Sequence, residues 1–124
     1  MIAAKQLVLN DWLPVVHERR PEPGQPQLHF GVICTGDKVV ANDLIKEHQD
    51  VWAKLIGVEM ESGGAASAAF QAPSTTGFFM VRGVSDLADP DKNKPLTDSW
   101  RAYACDVAAA FVEAFLKSGP VPLT

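Results

Sequence analysis

The sequence predicts an α/β fold, a three-layer αβα sandwich in which helices cover a mixed or parallel sheet. Three observations predict it. Phe78-Phe79-Met80-Val81 is an unbroken apolar run between Gly77 and Gly83, too compact for a helix and suited to a strand buried on both faces. Residues 28–35, LHFGVICT, are rich in strand formers and run into Gly36-Asp37, so they read as a strand ending in a turn. Trp100, Tyr103, Ala104, Val107, Ala108, Phe111 and Phe115 keep a helical stripe, which suits a helix with one buried face.

A chain of 124 residues fits one domain and can bury a core. Its net charge of −4 at pH 7 offers no basic stripe, so neither a nucleic acid polymer nor an anionic membrane is expected as a partner. Lys5, Asn10, Asp11, His17, Arg19 and Arg20 break the apolar character of the start of the chain, which leaves no room there for a secretory signal or a membrane span. A soluble, cytoplasmic protein is expected. Cys34 and Cys105 show no metal-ligand spacing, and two reduced, buried thiols are expected rather than a disulfide or a nucleophile.

Residues 4–18 place Leu7, Leu9, Trp12, Leu13 and Val16 around Pro14, which removes a backbone donor, so a short helix or an extended arm is expected. Pro21, Pro23 and Pro26 then stiffen a surface loop. Within the first strand, Gly31 marks a bulge or a place where a ligand or another chain approaches closely. His29 is either a site residue or a hydrogen-bonded structural histidine. Asn42 suits the cap of a helix over residues 43–55. Ile56-Gly57-Val58 then allows a brief buried strand at residues 56–60.

Glu59-Met60-Glu61 follows at once. The two acids either stabilise the positive end of the next helix or belong to a site. That helix, over residues 62–72, is almost entirely small residues, and Gly63-Gly64 costs it roughly 1 kcal/mol per glycine relative to alanine, so close approach to a neighbour or ligand must favour it. After residues 77–84, read as the central strand, Ser85, Asp86 and Asp89 lie where ligands collect in open α/β sheets, beyond the carboxyl end of a strand. They equally suit a plain turn. Thr97 or Asp98 is expected to cap a last helix over residues 98–117, which Gly119-Pro120 ends.

Five motifs in order carry a resemblance. They are His29-Phe30-Gly31, Glu59-Met60-Glu61, Arg82-Gly83-Val84-Ser85-Asp86, Lys92-Asn93 and Trp100 with Tyr103-Ala104. Over residues 27–118 the chain resembles the nucleoside phosphorylase and nucleosidase superfamily, which includes purine and uridine phosphorylases. The likeness is to its C-terminal half only, and closest to the purine nucleoside phosphorylase-like modules attached to signalling proteins. It implies a phosphorylase/hydrolase-like α/β domain at residues 27–124, preceded by an N-terminal arm and Pro-rich linker at residues 1–26. It also implies cleavage of the N-glycosidic bond of a purine nucleoside.

By this resemblance Asp86 is the general acid at the purine ring and Ser85 orients it. Glu61 accepts hydrogen bonds from the ribose hydroxyls, Met60 packs on the sugar, and Glu59 shares the substrate-binding turn. Val32, Ile33 and Cys34 lie along the base. Arg82 holds the turn or a neighbouring carboxylate rather than the substrate. No metal or cofactor is implied beyond inorganic phosphate as a possible co-substrate, and the expected assembly is a homo-oligomer.

Relatives carry a longer domain whose N-terminal half supplies a phosphate site or a water-activating carboxylate, and residues 1–26 resemble neither. A truncated domain, inactive until completed by missing segments, is therefore one expectation. A nonenzymatic nucleoside-binding or sensing module of a larger signalling protein is the alternative. A scaffold that binds nothing small is the third.

Overall fold

Two adjacent parallel strands form the sheet in the computed structural model, which describes residues 7–36, 55–74, 77–85 and 96–119. Strand β1 is Val32–Thr35 and strand β2 is Leu55–Glu59. Helices α1, Ser62–Gln71, and α2, Thr97–Lys117, follow, and two short 3-10 turns at Leu9–Asp11 and Leu13–Val15 precede the sheet. The chain divides into two compact units, one of Met1–Gln25, Val81–Ser85 and Leu96–Thr124, the other of Pro26–Met80 and Asp86–Pro95.

In the unit that holds the sheet, the register pairs Val32 with Leu55, Ile33 with Gly57, Cys34 with Val58 and Thr35 with Glu59. The irregularity between Val32 and Ile33 leaves Ile56 as the extra residue of β2. Gly31 explains how this is accommodated. A Cβ built there would lie 2.8 Å from Ile56 Cγ2, so what approaches this glycine is the bulged side chain of the same chain rather than a ligand or another chain. Leu55 is fully buried.

Strand β1 is shorter than expected, because residues 28–31 precede the ladder, and His29 is exposed outside it. The helix expected over residues 43–55 lies outside the described residues except at Leu55, which opens β2 instead. Helix α1 has no buried residue, and Phe70 is 92% exposed.

In the other unit, Trp12, Ala110, Phe111 and Phe115 form the core, with Leu7, Leu9, Val16, Val81, Val107 and Ala114 packed against it. The stripe read in the sequence is thus the buried face of α2, and Tyr103 is buried on it as expected. Pro14 sits early in the second 3-10 turn, a position that needs no backbone donor. Asp106 on α2 fastens the arm by accepting hydrogen bonds from the amides of His17 at 2.6 Å and Glu18 at 2.7 Å.

The expected caps of α2 differ from those observed. Leu96 is the N-cap, without a side-chain hydrogen bond, while Thr97 already lies inside the helix. Gly119 follows the C-cap Ser118 with φ of 121°, the left-handed conformation that glycine adopts without steric cost.

The central strand is the main correction. Residues 77–85 form no strand, and Phe78 and Phe79 are exposed. At Gly83 the backbone instead lies against helix α2, where a Cβ would fall 2.1 Å from the Ala104 carbonyl oxygen. An apolar run becomes a central strand only if strands flank it on both sides; here residues 81–85 meet a helix. Among the described residues the fold is a small α/β arrangement with a two-stranded parallel sheet. No helix of the described residues is long and apolar enough to cross a membrane.

Candidate functional site

Among the described residues of its unit, the carboxyl end of β2 carries the most developed polar geometry. Glu59 ends the strand and is 93% buried, being 7% exposed. Its Oε2 accepts hydrogen bonds from the amides of Glu61 at 2.7 Å and Ser62 at 2.8 Å. Its Oε1 accepts one from the Ser62 hydroxyl, and the Thr35 hydroxyl adds another. Burial works against the charged form, but these hydrogen bonds outweigh it and lower the Glu59 pKa to about 2. Glu59 is therefore a carboxylate anchored at the amino end of α1, where the unpaired amides of a first turn favour negative charge.

Thr35 ties the end of β1 to the same turn. Its Oγ1 accepts a hydrogen bond from the Gly63 amide at 3.2 Å. A Cβ at Gly63 would sit 3.0 Å from Thr35 Cγ2, so a larger residue there would need the Thr35 side chain to give by a few tenths of an ångström. The backbone continues the tie, with the Gly36 amide donating to the Glu59 carbonyl at 3.0 Å.

Met60 and Glu61 stand on this anchored turn. Both are exposed, and Glu61 Oε2 accepts a hydrogen bond from the Met60 amide at 3.3 Å. On β1, Val32 is exposed and Ile33 and Cys34 are half-buried. The structure thus places Val32, Ile33, Cys34, Glu59, Met60 and Glu61 on two paired strands and the turn that leaves them. Sequence reasoning missed Thr35 and Ser62 as partners of Glu59. Ser62, three residues after an acid, was a local signal; Thr35 could be found only from the strand register.

Ser85 belongs to the other unit. It is half-buried and lines an open cleft of about 350 Å³ with Arg82, Gly83, Arg101 and Cys105. Asp86, Asp89 and Lys92-Asn93 lie outside the described residues. The expectation of buried thiols is corrected: Cys34 is half-buried and Cys105 is exposed on α2, and both are free. Among the described residues no cluster of His, Cys, Asp or Glu could hold a metal ion.

A family model described as the phosphorylase superfamily matches residues 5–118. The match takes in the N-terminal arm, so the likeness is not confined to a C-terminal half as the motifs alone suggested. No curated protein and no solved structure gives a significant match to the chain.

Proposed function

Since the chain belongs to the phosphorylase superfamily, we propose that it acts on the N-glycosidic bond of a purine nucleoside, with phosphate or water as acceptor. Breaking this bond develops positive charge on the ribose and negative charge on the base, and catalysis comes from stabilising both as they form. In this reading Glu61 accepts hydrogen bonds from the ribose hydroxyls and Met60 packs on the sugar. Val32, Ile33 and Cys34 flank the base, Glu59 belongs to the same turn, and Asp86, oriented by Ser85, protonates the leaving purine.

The observation that carries the proposal is the exposed Met60-Glu61 pair on a firmly held turn at the carboxyl end of a parallel strand, the place where open α/β sheets bind ligands. We extend the reading to a three-layer αβα sandwich over residues 27–124, a cytoplasmic location and a homo-oligomer. Exposed Ile56, Phe70, Phe78 and Phe79 support the last of these, because apolar side chains left in water favour association.

Incubation of the purified chain with inosine, adenosine or methylthioadenosine, with and without phosphate, tests the activity through release of free base. Trace release of base is expected from the chain alone, since residues 1–26 resemble no phosphate site and no water-activating carboxylate. Binding seen as thermal stabilisation, but without release, would favour the nonenzymatic sensing role. Neither release nor stabilisation would overturn the nucleoside reading.

A further inference from the structure

Glu59 has a different set of partners from those expected of a group that meets substrate. Both of its oxygens are taken up by the protein: the amides of Glu61 and Ser62 on one, the Ser62 hydroxyl on the other, with Thr35 completing the set. It is buried while the two residues after it are exposed. Thr35 in turn holds the Gly63 amide from the end of the neighbouring strand. One carboxylate and one hydroxyl therefore join β1, β2 and the first turn of α1.

We propose that Glu59 is a positioning residue, which together with Thr35 fixes the orientation in which Met60 and Glu61 face a ligand and the separation of that pair from Val32, Ile33 and Cys34. This rests on the nucleoside reading for the identity of the ligand and on the hydrogen bonds alone for the device. When the Glu59 carboxylate becomes a carboxamide, its charge is lost and one of its two acceptor oxygens becomes a donor set against the Ser62 hydroxyl or the Glu61 and Ser62 amides. The turn is then held more weakly and samples other backbone conformations. A ligand that needs Glu61 in one place then binds a state present only part of the time, and its apparent affinity falls by that fraction.

The test compares the wild-type chain with Glu59→Gln, Thr35→Val and Thr35→Ser. Calorimetric titration with inosine and with adenosine is read beside amide hydrogen exchange and the thermal midpoint. The amides of Glu61 and Ser62 should exchange faster in Glu59→Gln. Nucleoside Kd should rise roughly 10- to 100-fold, the scale on which a small misplacement of a binding group is felt. Thr35→Val should weaken binding and Thr35→Ser, which keeps the hydroxyl, should restore it, a rescue that general loss of stability would not produce.

Faster exchange with unchanged Kd would overturn the proposal, and so would unchanged exchange at Glu61 and Ser62. If the wild-type chain binds neither nucleoside, the nucleoside reading falls by itself. The exchange comparison then decides whether Glu59 holds the turn, with unchanged exchange again overturning it.

Discussion

Trp12 meets Phe111 edge to face, with ring centroids 5.8 Å apart and planes at 85°. The pair links the arm at the start of the chain to the last helix and lies at the centre of its core. Edge-to-face contact aligns the positive rim of one ring with the negative face of the other and adds to the burial of both. Because Trp12 is 3% exposed, Trp12→Ala should destabilise the unit by about 3–5 kcal/mol, the range for large aromatic truncations in cores. Exposed Val15 nearby provides the control: Val15→Ala should stay within about 0.5 kcal/mol. Thermal unfolding followed by tryptophan fluorescence checks both, and equal effects would contradict the core position of Trp12.

Glycines 83 and 64 should respond in opposite directions to the same substitution. At Gly83 an added methyl would meet the Ala104 carbonyl oxygen at 2.1 Å, whereas at Gly64 nothing lies within 4 Å. Gly83→Ala should cost about 1–3 kcal/mol as backbone is forced apart. Gly64→Ala, in α1, should stabilise by about 0.5–1 kcal/mol through helix propensity. Urea midpoints measured side by side decide the matter.

Acid should act through Glu59. Its pKa in the folded chain is lowered from 4.5 to about 2, so its contribution is fully present above the higher value and is lost as pH falls towards the lower one. The linkage amounts to ~3 kcal/mol at most. Wild type should therefore lose stability between pH 4.5 and about 2 more steeply than Glu59→Gln, which carries no proton-linked group there. Asp106, also lowered by the backbone hydrogen bonds from Glu18 and His17, contributes in the same direction and is common to both proteins. Superimposable acid profiles of the two would remove Glu59 from this role.

The proposed chemistry divides between two carboxylates. Asp86→Asn should abolish release of base while sparing much of the nucleoside binding, because protonation of the leaving purine is needed only as the bond breaks. Glu61→Gln should chiefly weaken binding, through the ribose hydroxyls. Steady-state kinetics beside calorimetric Kd values separate the two. An Asp86→Asn protein that cleaves at the wild-type rate would remove Asp86 as the acid.

The helices were the most legible part of the fold. Residues 98–117 and 62–72 were read as helices, and α2 and α1 run over Thr97–Lys117 and Ser62–Gln71. Helix α2 repeats its apolar stripe over several turns, so an error at one position is corrected by the next. A strand has no such redundancy, because its hydrogen bonds go to a segment distant in sequence. Residues 78–81 have the composition of a central strand, but composition does not say whether a partner backbone arrives. At Gly83 the close neighbour is the α2 backbone.

The site shows the same division. Met60 and Glu61 were legible as a pair at the end of an apolar segment. The burial of Glu59 was not, since it depends on Thr35 being brought opposite it by the strand register.

The proline-rich stretch before β1 has a bearing on where the chain can be altered. Arg20 turns back into its own loop, donating from Nη1 to the carbonyls of Glu22 at 3.3 Å and Pro23 at 2.9 Å, and lies 5.2 Å from the centre of the Trp100 ring. Gly24, with φ of 139°, passes so close that a Cβ would overlap the guanidinium. Exposed loops are ordinarily the favoured places for inserting a tag, a protease site or a new terminus. Here the side chain serves as a template for the surrounding backbone, so a cut or insertion within residues 20–24 would separate the guanidinium from the carbonyls that hold it over Trp100.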